Sequence, residues 1–499
     1  MSVWRVKPVS AFEADMKKND LKRVLTKWGL TSLGIGAIIG GGIFTLTGIA
    51  ANEYAGPALA LAFVIAGIGC LFASLCYAEF ASVLPVEGSA YAYAYGTVGE
   101  LFAWFIGWNL ILEYMMGATT VAVAWSGYFV KLLHLFGIEF PIWLCNDMAT
   151  ATEKSEALGL AAPSFAFNLP AFLITWVVTA ILVKGIKEAA KTNNIIVIVK
   201  IAVVLFVIIV GAFYINTDNW HPFIPSEIPI LDELGNATGK VKYGFGGVLT
   251  AATIVFFAYI GFDAVSTQAG EAINPKKDVP FAIVASLIIC TVLYILVSLV
   301  LTGMVKYTEL DKAAPVASAF SGIGINWAVF IITIAATAGL TSVMLVMMLG
   351  QTRIFLGMAK DGLMPAFFKV LHPVFKTPYK STILVGGLIS LVAAFTPIDK
   401  VSEMCSMGTL LAFAMVCVAV MILRYKKPEL ERPYKTPAVY VVGTLGVGFN
   451  IFLMTQVRAA TWNFFLIWGA LGVIVYFLYG KRNSNLEKPE AGPEHTIDG

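Results

Sequence analysis

Charged side chains are scarce in this chain. Of its 499 residues, 13% are Asp, Glu, Lys or Arg and 58% are hydrophobic, with a mean hydropathy of +0.81. A soluble domain carries about 25% charged residues, so the composition excludes a soluble multidomain protein, a disordered chain and a collagen-like one. The 34 basic and 31 acidic side chains are too balanced for nucleic-acid binding by the whole surface. The composition predicts a membrane protein.

Metal-ligand clusters and catalytic motifs are also lacking. Five of the six cysteines lie in apolar runs and only Cys145 lies in a polar segment, so no disulfide framework is expected. The four histidines are scattered, with no second ligand at metal-binding spacing. The sequence contains neither a complete phosphate-binding loop nor a nucleophile elbow. We therefore expect no metal, no cofactor and no enzymatic activity.

Long apolar runs are abundant. A helix needs about 20 largely apolar residues to cross a bilayer, and twelve runs approach that length. Because no run alternates with period two, the pattern predicts an all-α polytopic membrane protein. The predicted spans are residues 30–52, 57–84, 97–130, 169–184, 192–215, 244–269, 280–304, 326–350, 381–397, 402–423, 438–457 and 461–479.

The distribution of Lys and Arg predicts the orientation. With the N-terminus inside, the cytoplasmic segments carry about three times as many Lys and Arg as the external ones. We expect a multi-pass protein of the cell membrane, with residues 1–29 and 480–499 in the cytoplasm. Two long polar segments, 131–168 and 216–243, are expected outside, as caps over the outer face or as tolerated insertions.

Three consecutive glycines lie near the middle of the first predicted span. Gly40, Gly41 and Gly42 each cost roughly 1 kcal/mol relative to Ala in a helix, which favours an interruption. Unwound backbone at that depth must line a cavity or be packed by protein. The spacing of Gly36 and Gly40 is also typical of close helix packing, so this span alone leaves both interpretations open.

The sixth span also contains helix-breaking and charged residues. Gly261 is followed two residues later by Asp263, and an intramembrane carboxylate usually faces a cavity or a partner. Interrupted first and sixth helices predict an inverted repeat of five helices, residues 30–215 and 244–423, with 438–479 outside it. The breaks would offer N–H groups to a carboxylate and carbonyls to an ammonium, which suits a zwitterionic amino acid.

Several motifs carry a family resemblance over nearly the whole chain. They are GIGAIIGGGIF in the first span, Tyr77-Ala78-Glu79, Glu113-Tyr114, FFAYIGFDAVST with the following Glu271 and Asn274-Pro275, and Gly350-Gln351-Thr352-Arg353. They resemble the amino acid, polyamine and organocation transporter superfamily, and most closely the bacterial members of its cationic amino acid transporter family. Two features depart from the pattern. Gly41 stands where many relatives carry Ser or Thr, and 224–243 is an insertion expected to lie away from the site.

The resemblance implies a substrate site at the two breaks. Backbone N–H groups of the first break would bind the substrate carboxylate, and carbonyls of both breaks would bind its ammonium. The ring of Phe257 would also cover the substrate as an outer gate. The residues with these implied roles are Ile38, Gly41, Gly42, Ile43, Phe257, Ala258 and Ile260.

Four further residues have expected roles in or near this site. Met347 corresponds to the pocket floor of the family, where a thioether favours a short neutral side chain over a guanidinium. Alanine-like substrates are therefore expected ahead of arginine or lysine, despite the family name. Glu113 either approaches the pocket or only hydrogen-bonds a neighbouring helix. Asp263 and Glu79 lie nearer the inner end and are expected to form an intracellular gate with basic loop residues.

Lys200 is the one basic residue in the interior of a predicted span, since Lys184 stands at the end of its own. It lies about 13 Å along a helix from Lys191, further than its side chain reaches back to the interface. Desolvation favours its neutral form and nearby carbonyls favour its charged form, so the group is suited to taking up and releasing a proton. The resemblance implies that it replaces the sodium ion of sodium-coupled relatives, beside first-helix carbonyls and the hydroxyls of Thr341 and Ser342. A fixed structural cation is the alternative.

These features predict a sodium-independent, proton-coupled secondary transporter that imports small neutral L-amino acids such as alanine by alternating access. A cationic amino acid transporter, an amino acid exchanger and a non-transporting sensor are the alternatives. The expected partners are the amino acid, the proton and the lipid bilayer, without nucleic acid. The sequence does not decide whether a small membrane subunit binds.

Overall fold

A computed structural model of the chain describes residues 5–8, 23–84, 89–231, 237–310, 314–457 and 459–487. The predicted terminal segments 1–29 and 480–499 therefore lie partly outside the described residues. Long helices dominate, with one two-stranded antiparallel sheet. The α-helices of twelve or more residues are α1 (Lys27–Ile38), α2 (Leu59–Val83), α3 (Glu100–Leu135), α4 (Leu169–Lys184), α5 (Ile186–Ala212), α6 (Gly244–Phe256), α7 (Pro275–Met304), α8 (Asn326–Lys360), α9 (Tyr379–Phe395), α10 (Ile398–Lys426), α11 (Val439–Thr455) and α12 (Ala459–Val475), and the strands are β1 (Ile228–Leu231) and β2 (Ala237–Lys242). Shorter helices include Ala90–Tyr95, Met148–Ala157 and Pro315–Gly322.

Eight helical segments of the described chain are long and apolar enough to cross a membrane, and α4, α9 and α11 are shorter apolar helices. The segment Lys27–Val83 contains the first two predicted spans, so every predicted span overlaps a helix. The helix of the eighth predicted span is longer than the span itself, because α8 continues past residue 350 to Lys360. The polar residues there are buried, and Arg353 forms an ion pair of 2.6 Å with Glu271.

A β-hairpin corrects the expectation of a purely helical chain. Strands β1 and β2 pair antiparallel inside the insertion before α6, with Ile228 opposite Lys242. Strands of four and six residues are too short to stand out in a scan for membrane-length runs. The Tyr243 hydroxyl, next to the hairpin, donates to the carbonyl of Asn52 at 2.6 Å. The insertion therefore contacts the C-terminal end of the first interrupted helix.

Local chemistry explains several helix starts. The Asn168 side chain accepts the N–H of Ala171 at 3.2 Å, and Pro170 occupies the first turn of α4, where a missing N–H costs nothing. Pro275 opens α7 in the same way. Three pairs of helices whose numbers differ by five pack against each other. Helix α7 lies along α2, α8 along α3 and α9 along α4.

Both predicted breaks are present. The first helix ends at Ile38, bends at Ile39 and Gly40, and resumes at Gly41, which leads into a π-helical turn from Gly42 to Leu46. The sixth ends at Phe256, passes through a 3₁₀ turn, and reaches Gly261, whose φ of +123° favours glycine.

The two breaks also touch each other. A side chain at Gly42 would collide with the Cα and Cβ atoms of Ala258, and one at Gly261 would meet the Cβ of Ala37 at 2.7 Å. Helix interruption and close packing, the two interpretations of the glycines in the first span, are therefore both present in the structure.

The segments before α1 and after α12 meet at one end of the bundle. Glu100, fully buried at the start of α3, accepts hydrogen bonds from Arg5 at 3.5 Å, Tyr476 at 2.9 Å and Ser484 at 2.6 Å. The Lys7 ammonium pairs with the carboxylate of Asp361, just beyond α8. The first and last described segments therefore lie on the same side of the helical bundle.

Candidate substrate and coupling site

A small cavity lies where the two breaks meet α3, α8 and α10. Its volume is about 20 Å³, which is room for roughly one water molecule. Six of the predicted site residues line it, namely Ile38, Gly41, Gly42, Phe257, Ile260 and Met347. The remaining lining residues are Ala37, Gly40, Gly117, Val121, Val343 and Cys405. The walls are therefore apolar side chains, and the polar groups that the cavity offers belong to the backbone.

Three of the predicted substrate residues are not among those that line the cavity. Ile43 and Ala258 lie next to lining residues and are buried. Glu113 lies one turn of α3 before Gly117, and sequence spacing alone places Glu113, Gly117 and Val121 on one helix face. Glu113 is therefore one helical turn from the cavity wall and is not part of it.

The polarity of the backbone differs between the two sides of the first break. After the break, the π-helical turn begins at Gly42 with Gly41 as its N-cap residue. No side chain caps this turn, so its first N–H groups lack partners inside the helix. On the other side, the carbonyl of Ile38 ends α1, and Ala258 lies in the turn that follows α6. Both of these carbonyls accept a hydrogen bond from the Tyr294 hydroxyl, at 2.7 Å and 3.0 Å. Tyr294 was missed, because nothing in the sequence marks it beyond its place in an apolar span.

Lys200 is fully buried and joins the first helix to the eighth. Its ammonium donates to the carbonyls of Gly36 at 2.8 Å and Ile39 at 2.7 Å, and to the hydroxyl of Ser342 at 3.2 Å. The structure thus brings Lys200, Ser342 and first-helix carbonyls together. The Thr341 hydroxyl instead accepts from the indole of Trp125 at 2.9 Å. The predicted contact of Thr341 with Lys200 is therefore not among the hydrogen bonds of the described residues.

Asn193 completes these contacts and was missed. Its side-chain oxygen lies 2.7 Å from the Ser342 hydroxyl, and its amide donates to the carbonyl of Ser32 at 3.2 Å. Asn193 precedes Lys200 by two helical turns and shares its face of α5. A search for polar residues at that spacing would have found it.

Two buried carboxylates, those of Asp263 and Glu113, lie on the elements that form the cavity but are not among its lining residues. Asp263 accepts from the Tyr114 hydroxyl at 2.5 Å, so the expected pairing of Asp263 with a basic loop residue is replaced by a phenol. Neither oxygen of Glu113 has a hydrogen-bond partner among the described residues. Glu113 contacts the neighbouring helix α10 through its backbone carbonyl, which accepts from the Cys405 thiol at 3.3 Å, and not through its carboxylate.

Glu79 has the basic partners that were expected for an inner gate. Arg424 binds it through two nitrogens at 3.0 Å and 2.6 Å, and Arg432 lies 3.2 Å away. Its second oxygen also accepts the N–H of Thr436 at 2.8 Å. Glu79 therefore fastens α2 to α10 and to the loop that follows α10.

Comparison with known proteins identifies the family. The profile of the amino acid permease family matches residues 25–478. The chain is 44% identical over 490 residues to the branched-chain amino acid permease BcaP of Bacillus subtilis (strain 168), covering 98% of this chain and 99% of that protein. It is 42% identical over 487 residues to the methylthioribose transporter of the same organism, covering 98% and 100%. It is 38% identical over 418 residues to the vacuolar cationic amino acid transporter 4 of Arabidopsis thaliana, covering 83% and 66%.

These matches confirm the predicted resemblance and the absence of an enzymatic role. The relatives are permeases and transporters rather than enzymes, and they include both bacterial and cationic amino acid transporters. The apolar helices fit the same conclusion. The chain is a membrane protein of the amino acid permease family, within the amino acid, polyamine and organocation superfamily.

Proposed function

We propose that this protein is a secondary transporter that imports small neutral L-amino acids by alternating access. The observation that carries the proposal is the apolar cavity between the two touching helix breaks. N–H groups after Gly41 would bind the substrate carboxylate, and the carbonyls of Ile38, Ala258 and Ile260 would bind its ammonium. Phe257, at the edge of the cavity, would close the outer side.

The proposed topology has twelve spans with both termini in the cytoplasm of a cell-membrane protein. The pairing of α2 with α7, α3 with α8 and α4 with α9 supports an inverted repeat of residues 30–215 and 244–423. The shared contacts of Arg5 and Ser484 with Glu100 support an even number of crossings. Helices α11 and α12 lie outside the repeat.

The apolar walls favour a short neutral side chain. The lining residues include no acidic side chain, so a guanidinium or a second ammonium would enter without a partner. The cavity holds about one water molecule, and therefore a short side chain needs the least displacement of Met347 and Val343. The branched-chain relative makes a valine-sized substrate the second candidate.

Proton coupling is proposed through Lys200. Its ammonium joins α1 to α8 where sodium-coupled relatives are expected to hold their ion, so transport would be independent of sodium. Loss of the proton would remove a positive charge from the carbonyls of Gly36 and Ile39 and from Ser342. On the inner side, Glu79 with its two arginines and Asp263 with Tyr114 would form the closed gate.

Uptake of labelled alanine into liposomes tests this function. We expect accumulation that depends on an inward proton gradient, does not require sodium, and is competed by small neutral amino acids more strongly than by arginine or lysine. Uptake that requires amino acid trapped inside would indicate an exchanger. Binding without uptake would indicate a sensor, and preferential competition by arginine would indicate a cationic transporter.

A further inference from the structure

Tyr294 lies directly behind the two helix breaks. It is fully buried on α7, and its ring packs against Phe63 and Tyr259 with centroid distances of 5.3 Å and 5.5 Å. Its hydroxyl oxygen lies 2.7 Å from the carbonyl oxygen of Ile38 and 3.0 Å from that of Ala258. One side chain of α7 therefore contacts both interrupted helices at the ends of their first halves.

These contacts provide a hydrogen-bond donor to carbonyls that the breaks leave without one. A carbonyl in the last turn of a helix has no N–H from a following turn to accept, and burying it without a donor costs about 1–3 kcal/mol. Tyr294 supplies one hydroxyl hydrogen to two such carbonyls. The separation of the carbonyl oxygens is thereby limited, since neither can move away without losing the shared donor.

We propose that Tyr294 is a positioning residue for the substrate ammonium. This inference rests on the proposed function and deepens it, because Ile38 and Ala258 are two of the carbonyls that would bind the ammonium. A carbonyl oxygen has two lone pairs, so each can accept from the phenol and from an ammonium together. The phenol holds the two carbonyls at a fixed spacing before substrate arrives. Substrate binding therefore loses less conformational entropy, because the carbonyls are already ordered.

A second buried tyrosine provides a matched control. Tyr259 lies in the same aromatic cluster and is equally buried, but its hydroxyl donates to the carbonyl of Phe63 in the intact helix α2, at 2.8 Å. Substitution by phenylalanine keeps the ring at either position and removes one hydroxyl. Only Tyr294→Phe takes the donor from the two break carbonyls.

The test measures KM and kcat for alanine and for N-methylalanine, whose ammonium has one donor fewer, with wild type and both variants in liposomes. We expect Tyr294→Phe to raise the KM for alanine about tenfold, with a smaller effect on kcat and weaker discrimination between the two substrates. Tyr259→Phe should change KM by less than about twofold and keep the discrimination. A purely structural role would lower thermal stability in both variants without changing the discrimination.

Equal KM changes in the two variants, or unchanged discrimination in Tyr294→Phe, would overturn the inference while leaving amino acid transport intact. If wild type neither binds nor takes up any amino acid, the proposed function fails, and this inference fails with it. If Tyr294→Phe does not fold, 3-fluorotyrosine at position 294 is used, because it retains the ring and strengthens the hydroxyl donor. A change in discrimination then supports the role, and wild-type discrimination overturns it.

Discussion

The Lys200 ammonium donates a 2.7 Å hydrogen bond to the carbonyl of Ile39, the residue that ends the first half of the first interrupted helix. Ile38, the preceding residue, lines the cavity. The charge on Lys200 therefore acts on backbone that is one residue from the proposed substrate site. A proton gained or lost at this amine changes how firmly that backbone is held against α5 and α8.

Lys200→Ala is expected to abolish stimulation of alanine uptake by a proton gradient while leaving alanine binding intact, because the lysine contacts the first helix but does not line the cavity. The measurement compares uptake with and without the gradient and a binding isotherm. Lys191→Ala, an exposed lysine on the same helix, should behave as wild type. Uptake by Lys200→Ala that keeps its pH dependence would show that the lysine is only a structural cation.

Ser342→Ala and Thr341→Ala should differ, although the residues are neighbours. Ser342 contacts Lys200, Asn193 and the Gly36 carbonyl, whereas Thr341 contacts Trp125. We expect Ser342→Ala to lower proton-driven uptake by about tenfold, since a buried charge loses a partner, and Thr341→Ala to change it by less than about twofold. Equal losses in the two variants, measured at matched expression, would contradict this assignment.

Met347→Ser should widen the pocket and shift its preference toward longer side chains. Removing the thioether enlarges the cavity, whose volume is now about 20 Å³. In a competition panel, we expect valine and leucine to gain about tenfold relative to alanine. Met348→Ser is the control, because Met348 is buried but is not among the lining residues. An unchanged ranking in Met347→Ser would place the pocket floor elsewhere.

Gly41→Ser and Gly42→Ser should have opposite outcomes. A Cβ at Gly41 would meet the Cδ2 of Leu340 at 3.4 Å, an ordinary contact, and the new hydroxyl would reach the cavity. We expect Gly41→Ser to transport alanine with a KM about two- to tenfold lower. At Gly42 the side chain would overlap the backbone of Ala258, so this variant should lose both transport and thermal stability. Full activity in Gly42→Ser would contradict the close contact of the two breaks.

The sequence supports prediction of the helices and the breaks because both follow from local properties. Hydropathy over about 20 residues marks a span, and three consecutive glycines mark an interruption without reference to other helices. Lys200 was identifiable from its depth alone. Thr341, Asn193 and Tyr294 were misplaced or missed because their roles depend on how each helix is rotated against its neighbours. A one-residue difference, Thr341 against Ser342, turns a side chain by about 100° and changes its partners completely.

The contact between Gly42 and Ala258 has a mechanical consequence. Gly42 has no side chain and the side chain of Ala258 is a single methyl group, so neither residue has a rotamer that could absorb a displacement of one broken helix against the other. The two breaks then share a single hinge. In the proposed site, the groups for the substrate carboxylate and those for its ammonium would then release the amino acid in the same step.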